Sequence, residues 1–290
     1  MGSNVWMGVR GAEQWIKAPA PRTPFQAVGW SETTQGRNGR TTGRRSRVTH
    51  MEYELSWPTV PTEIARKLTD MYYGVDGDGL IYWLDPMLKN VLPAHWSFPG
   101  LGCTDGPPIY GKIRPEAVAT TANAKGLPHV SAKFTAISGY TPPRCYIPIP
   151  PGHAAHIGVH QGTAGATDSI VIAIPQSASG NTGTISRLPG IAPSSSTRFT
   201  TVIPRSGSMT GIDIRLAPGE TIGGVTLPST GTIAGIMVEV LPIGQSPVGQ
   251  GFIRGGGNSG CQMFDPPTET PISAYRNRMS VSAKLTEVGP

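Results

Sequence analysis

The run Leu80-Ile-Tyr-Trp-Leu-Asp-Pro-Met-Leu-Lys-Asn-Val-Leu-Pro-Ala-His-Trp96 packs two Trp, a Tyr and a series of aliphatic residues into one short span of a chain that is only 7% aromatic. Apolar surface at that density is stable only when removed from water. Its first five residues are a continuous apolar run of strand length, preceded by the turn-rich Gly74-Val-Asp-Gly-Asp-Gly79. They are stopped at Asp85-Pro86, where proline cannot donate to a sheet ladder. A central strand is expected at 80–84. Pro93 and Pro99 disfavour a helix beyond it, so Trp96 and Phe98 are expected as anchors on an irregular segment crossing the face of a sheet. The stretch reads as a seam between two bodies, with Trp57, Trp83 and Trp96 as its anchors and both Trp83 and Trp96 buried.

Upstream of the seam, Met51, Tyr53, Leu55 and Trp57 alternate with Glu52, Glu54 and Ser56, the period of a half-buried strand, which Pro58 is expected to end. Pro61-Thr-Glu opens an amphipathic helix on which Ile64, Leu68, Met71 and Tyr72 share a face and Gly74 supplies the stop. Val5-Trp-Met and Glu13-Gln-Trp-Ile read as a hairpin turning near Arg10-Gly11. Residues 18–30, with Pro19, Pro21 and Pro24, read as a connection.

Downstream, helical periodicity disappears. Short apolar runs recur at 130–137, 145–149, 155–159, 169–174, 199–203, 212–216, 224–227 and 233–241, separated by Gly, Ser, Thr and Pro clusters. This is the pattern of a two-sheet antiparallel sandwich of about eight strands, a jelly roll or a close relative. At the end, Met279, Val281, Ala283 and Leu285 alternate with Ser280, Ser282, Lys284 and Thr286 and match the strand at 51–57 in period and length. The C-terminal strand is therefore expected to re-enter the first sheet. The fold class is mainly β, with residues 1–112 and 269–290 as one domain bearing a single amphipathic helix and 113–268 as an inserted jelly-roll domain. The insert is expected to be dispensable for the first domain: replacing residues from about 115 to 268 with a short Gly/Ser linker should leave a soluble, β-rich oligomer.

The segment Gly36-Arg-Asn-Gly-Arg-Thr-Thr-Gly-Arg-Arg-Ser-Arg47 carries five arginines, Arg37, Arg40, Arg44, Arg45 and Arg47, on a glycine-rich loop. Clustered guanidiniums suit either phosphate contact or pairing with carboxylates of a neighbouring subunit. No aromatic residue interleaves them, and acidic residues elsewhere in the first 112 nearly balance the basic ones there. Subunit contact is the preferred reading, with Glu52 and Glu54, on the polar face of the adjoining strand, as candidate partners.

Composition limits the function classes. Gly and Pro number 38 and 29 of 290 residues, roughly twice the usual share and without a collagen-like period. Only 14% of residues are charged, low for a monomer that must stay soluble alone, so part of the surface is expected to be covered by other subunits. Cys103, Cys145 and Cys261 lack CxxC spacing and read as buried thiols. The N-terminus has neither the basic start nor the apolar run of a secretory signal, and no stretch approaches the length of a membrane span, so no membrane insertion is expected.

No catalytic constellation is expected, and no metal or cofactor. His153, His156 and His160 are spaced so that, on a strand, only His156 and His160 share a face. Asp76 and Asp78 lack the later ligands of a calcium loop. Gly257-Asn-Ser-Gly260 lacks the second glycine of a nucleophile elbow, and residues 251–260 lack the Gly-Lys-Ser/Thr ending of a phosphate loop. These glycines instead suit a backbone running close to another segment. The low-charge sandwich also suits weak glycan contact, although it offers few exposed aromatic platforms after Tyr146.

Taken together, Val5-Trp-Met-Gly with Trp15, Tyr53-Glu-Leu-Ser-Trp57, Gly79-Leu-Ile-Tyr-Trp-Leu-Asp-Pro86, Asn90-Val-Leu-Pro-Ala-His-Trp96 and Gly251-Phe-Ile-Arg-Gly-Gly-Gly-Asn-Ser-Gly-Cys261, leading into Ser280-Val-Ser-Ala-Lys-Leu-Thr-Glu-Val-Gly289, resemble the minor tail proteins of long-tailed, siphovirus-type actinobacterial phages. Among these the layout is similar to the distal tail proteins. The resemblance is strongest at 50–100 and 250–290, and the arginine arm at 37–47 falls outside it. It implies a ring-forming belt domain carrying a jelly-roll or galectin-like domain, in a homo-oligomer built as a hexameric ring. The implied place is the virion tail tip, after synthesis in the host cytoplasm. There the ring would join the tail tube protein to the tail-tip hub protein, other minor tail proteins and receptor-binding parts, with DNA passing through it. Two rival functions are a host-envelope carbohydrate-binding adhesin of the tail and a wall-cleaving enzyme.

Overall fold

The computed structural model describes residues 4–20, 25–28, 31–35, 41–45, 50–102, 115–120, 127–139, 141–163, 169–249, 251–258, 260–273 and 277–288. The first part of the chain forms β1 (Asn4–Val9), β2 (Gln14–Lys17), β3 (Phe25–Val28), β4 (Ser31–Gln35), β5 (Thr41–Arg45), β6 (His50–Pro61), α1 (Thr62–Tyr72) and β7 (Ile81–Leu84). A helical turn, α2 (Ala94–Ser97), and a 3-10 turn at Pro99–Gly102 lead into the middle of the chain. That region holds β8 (Glu116–Ala119), β9 (Val130–Thr135), β10 (Arg144–Pro148), β11 (His153–Gln161), β12 (Val171–Ser177), β13 (Gly180–Asn181), β14 (Ser186–Arg187), β15 (Gly190–Ile191), β16 (Thr201–Pro204), β17 (Met209–Leu216), β18 (Thr221–Ile222), β19 (Val225–Thr226) and β20 (Thr230–Pro242). β21 (Cys261–Gln262), β22 (Thr268–Ser273) and β23 (Arg278–Glu287) close the chain. The fold is mainly β, and no described helix is long and apolar enough to cross a membrane.

The two ends of the chain share one eight-stranded sheet in the order β2-β1-β7-β21-β23-β6-β3, with β22 also on β23. β7 is internal to it. Leu285 pairs with Tyr53 and Ala283 with Leu55, so the two alternating apolar sets fall on one face. Helix α1 closes that face by burying Ala65, Leu68 and Met71 against the sheet. Pro61, at φ −58°, precedes the helix, and Gly74, at φ +69°, follows it in a left-handed turn suited to glycine.

The middle of the chain is a jelly roll. From β9 to β12 successive strands alternate between two sheets, and β16, β17 and β20 do the same on the way back. One sheet is ordered β15-β11-β20-β9-β8 with β16 also on β11, and the other β10-β17-β12-β13 with β14 on β12. Alternate residues of the long strands, such as Ala155, Ile157 and Val159 on β11 and Ile236, Val238 and Val240 on β20, fill the core between them.

The structure corrects several boundaries. Residues 25–28 are a strand paired with β6, not connection, because the prolines at 19, 21 and 24 lie outside the paired stretch. Pro58 does not end β6. Met279 pairs with Val60 and Val281 with Trp57, so β6 carries one residue more than β23 over that interval. The bulge takes up exposed Pro58 and Thr59, where a missing N–H removes no ladder bond. Residues 94–97 form one helical turn after Pro93, at φ −57°, where irregular chain was expected. Residues 224–227 contribute a small hairpin strand outside both sandwich sheets. Cys261–Gln262, inside the segment assigned to the insert, pairs in the first sheet with Ile81 and with Glu287 and Thr286.

Candidate functional site: the seam between the sheet and the sandwich

The hydrophobic core of the sandwich does not stop at its own strands. Trp6, Leu84, Val91, Leu92 and Trp96 belong to the same buried cluster as Ile147, Ile157 and Val238. Trp96 is 1% exposed. The crossing segment is fixed by polar groups as well. Asn90 donates through Nδ2 to the Ile253 carbonyl at 2.8 Å and accepts at Oδ1 from the Val238 N–H at 3.1 Å, and Ser97 Oγ accepts from the Gly255 N–H at 2.8 Å. The backbone at 255–257 lies directly on 90–92, with Gly256 N–H bonded to Asn90 O and Gly257 N–H to Leu92 O. A Cβ on Gly257 would sit 1.7 Å from the Val91 carbonyl oxygen, so only glycine permits that approach. Phe252 then stacks on Phe98 at 4.8 Å and meets the edge of His160 at 5.2 Å, closing the strap onto the outer face of β11 and β20.

A second lock sits at the other end. The β1–β2 turn inserts against the sandwich, where Arg10 donates from Nε to the Ser177 carbonyl at 3.1 Å, reaches Gln176 Oε1, and lies 5.1 Å over the Tyr146 ring. Tyr146 donates to Glu13 Oε1 at 2.8 Å and packs edge-on against Tyr82 at 4.7 Å. Burial pushes the Glu13 carboxyl above the usual range, against the lowering effect of the Tyr146 hydroxyl, backbone donors and Arg205. Burial likewise pushes Tyr82 up to about 12.

Of the expected anchors, Trp96 lies at the seam and Trp57 does not. Trp57 is in the core under α1, where its indole N–H donates to the Lys17 carbonyl at 2.7 Å. Trp83 is half-buried against the same core, edge-on to Tyr53 at 5.6 Å, because on β7 it points away from the face that Leu84 presents to the sandwich. The seam tryptophan that the sequence pattern missed is Trp6. Asn90 was legible in principle as a lone amide inside an apolar run.

Arg37, Arg40 and Arg47 lie outside the described residues. Arg44 and Arg45 lie on β5, opposite Glu32 and Ser31 of β4, so this part of the arm is a hairpin strand rather than loop. Its pairing exchanges loop freedom for ladder hydrogen bonds. Glu52 is bonded to Lys284 at 2.9 Å within the chain, and Glu54 is exposed beside it on the polar face.

His156 and His160 share the outer face of β11 with Glu239 of β20, and Arg198 pairs with Glu239 at 3.4 Å. Arg198 also donates to the Val248 and Gly249 carbonyls and lies over Phe199. Burial lowers His160 to about 4, and it lowers His156 as well. Cys145 and Cys261 are buried free thiols whose acidity burial suppresses; Cys103 lies outside the described residues. Asp76 pairs with Lys67 at 3.5 Å. Chemically the seam is a lock: Arg10 and Glu13 are engaged in bonds that join one body to the other.

No protein-family model matches the chain. No curated protein matches it either. Among solved structures, a chain titled "Structure of infectious bursal disease virus Gt strain" is similar at 9% identity over 99% of this chain and 76% of that one, with a TM-score of 0.23. At that score the overlap carries no statement about fold or function.

Proposed function

We propose that this chain is a structural component of a virion, a ring-forming tail-tip protein of the distal-tail type that joins a tail tube to the hub and receptor-binding parts. The carrying observation is the closure of both chain ends into one sheet, β23 on β6, with the jelly roll held between them by a polar and aromatic seam. Where β6 and β23 pair, the side turned away from α1 is polar and open, with Glu54, Ser56, Ser282 and Lys284 exposed. A polar face of that kind, together with the paired strands β4 and β5 that carry Arg44 and Arg45, is suited to repeated contact between identical copies. The sequence resemblance to minor tail proteins supports the same reading. Negative-stain imaging and sedimentation of the purified chain test it. Closed rings of uniform diameter are expected, and a monodisperse monomer at high protein concentration overturns the proposal.

A further inference from the structure

The edge strand β2 presents Trp15 to solvent at 38% exposure, although a Trp on a sheet face beside a second domain would ordinarily be covered. Its indole is held in place. Trp6, directly opposite in register, meets it at 5.3 Å and 70°, and the His153 ring of the sandwich lies 5.8 Å away at 52°. Arg205 stands beside them, with its backbone N–H on the His153 carbonyl, a guanidinium nitrogen on the Ile149 carbonyl and its charge 5.9 Å over Trp6. Glu13, just before β2, is held by the Tyr146 hydroxyl and the Gly11 N–H and feels the charge of Arg205. The His153 Nδ1–H donates to the Pro151 carbonyl at 3.0 Å, so a neutral ring keeps Nε2 as an acceptor.

We propose that Trp15, His153, Arg205 and Glu13 form a saccharide-binding platform at the edge of the seam, built half from each body. The ligand class follows from the chemistry. A pyranose has one face of C–H groups, which an indole covers, and a rim of hydroxyls that both donate and accept hydrogen bonds. Arg205 supplies donors, Glu13 and His153 acceptors, each fixed by a bond to its own chain. That fixation lowers the ordering cost of binding. The site lies within one chain and does not depend on ring formation.

The test uses the full-length chain on an array of neutral oligosaccharides, followed by titration of the strongest binders, β-galactosides and N-acetylglucosamine oligomers included, with tryptophan fluorescence as readout. Saturable binding is expected. Trp15→Ala should weaken it at least tenfold and Trp15→Phe less. Arg205→Gln should weaken it several-fold, whereas Phe264→Ala, at an exposed aromatic in the bend between β21 and β22, should leave it unchanged. Thermal melts show whether each variant is folded, and Trp15→Phe keeps the test decisive if the alanine variant is not. Absence of any binder on the array overturns the proposal. So does undiminished binding by folded Trp15→Ala, or a Trp15→Ala variant whose defect is in self-association rather than sugar binding.

Discussion

Tyr146 of the jelly roll donates its hydroxyl proton to Glu13 Oε1 of the first sheet at 2.8 Å, and the same hydroxyl is hydrogen-bonded to Thr210 Oγ1 at 2.9 Å. One phenol thus joins the two bodies at the base of the β1–β2 turn. Tyr146→Phe leaves a mostly buried carboxylate without its side-chain donor, and a loss of roughly 1.5–3 kcal/mol in a denaturant melt is expected for a hydrogen bond to a charged group. The Glu13 carboxyl should move further up in that variant, which a carboxyl-resolved NMR titration would detect; an unchanged titration contradicts the assignment.

Trp96→Ala should cost roughly 3–5 kcal/mol, since it empties a fully buried site lined by both bodies. Trp83→Ala should cost less, because Trp83 is only half-buried and packs on the first core alone. Equal losses in urea titrations of the two variants would contradict this ordering.

Gly257→Ala should break the contact of 255–257 with 90–92, because its Cβ would meet carbonyl oxygen at 1.7 Å and neither backbone can yield. The expected readout is a single cooperative unfolding transition in the parent that splits in two in the variant. Rapid proteolysis within 245–260 should accompany the split. A variant that still unfolds in one transition at the parent midpoint excludes the strap as the coupling element.

Replacing the sandwich by a flexible linker should yield an aggregating product, contrary to the autonomy that the sequence pattern suggests. Excision uncovers Trp6, Leu84, Leu92 and Trp96, and cutting at 268 also deletes β21 from the sheet. A soluble, folded product by circular dichroism and size-exclusion chromatography would show that the seam is dispensable.

Stability should fall in acid through His160. Its folded pKa of about 4 lies below the unfolded value, so its contribution is fully present above about pH 6.5 and is lost as pH falls toward 4, by an amount on the order of 3 kcal/mol. Glu239, raised by burial against the lowering effects of Arg198 and Lys89, acts in the opposite sense and partly offsets the loss. His160→Phe should flatten the melting temperature between pH 6.5 and 4.5; an unaltered acid slope rules His160 out as its source.

If rings form through the arginine-rich segment, changing Arg40, Arg44, Arg45 and Arg47 to Ser should raise the concentration needed for assembly, and added salt should do the same to the parent. Glu54→Gln should mimic the effect more than Glu52→Gln, because Glu52 is already bonded to Lys284. Sedimentation of the quadruple variant at the parent's assembly concentration would place the subunit contact elsewhere.

The local sequence by itself determined the alternating strands at 51–57 and 279–285 and the single helix after Pro61 from their period, and the internal strand at 80–84 and the jelly-roll strands as short apolar runs bounded by turn residues. Each follows from a 2.0 or 3.6 repeat or from a bounded apolar run, properties of neighbouring residues alone. Only the tertiary structure decided that Trp57 belongs to the core under α1 while Trp6 joins the seam, and that Pro58 rides in a bulge. The same holds for the shared site of Trp15, His153 and Arg205. All are buried or exposed by contacts between residues far apart in the chain, and apolar pattern specifies that a face will be covered without specifying which body covers it.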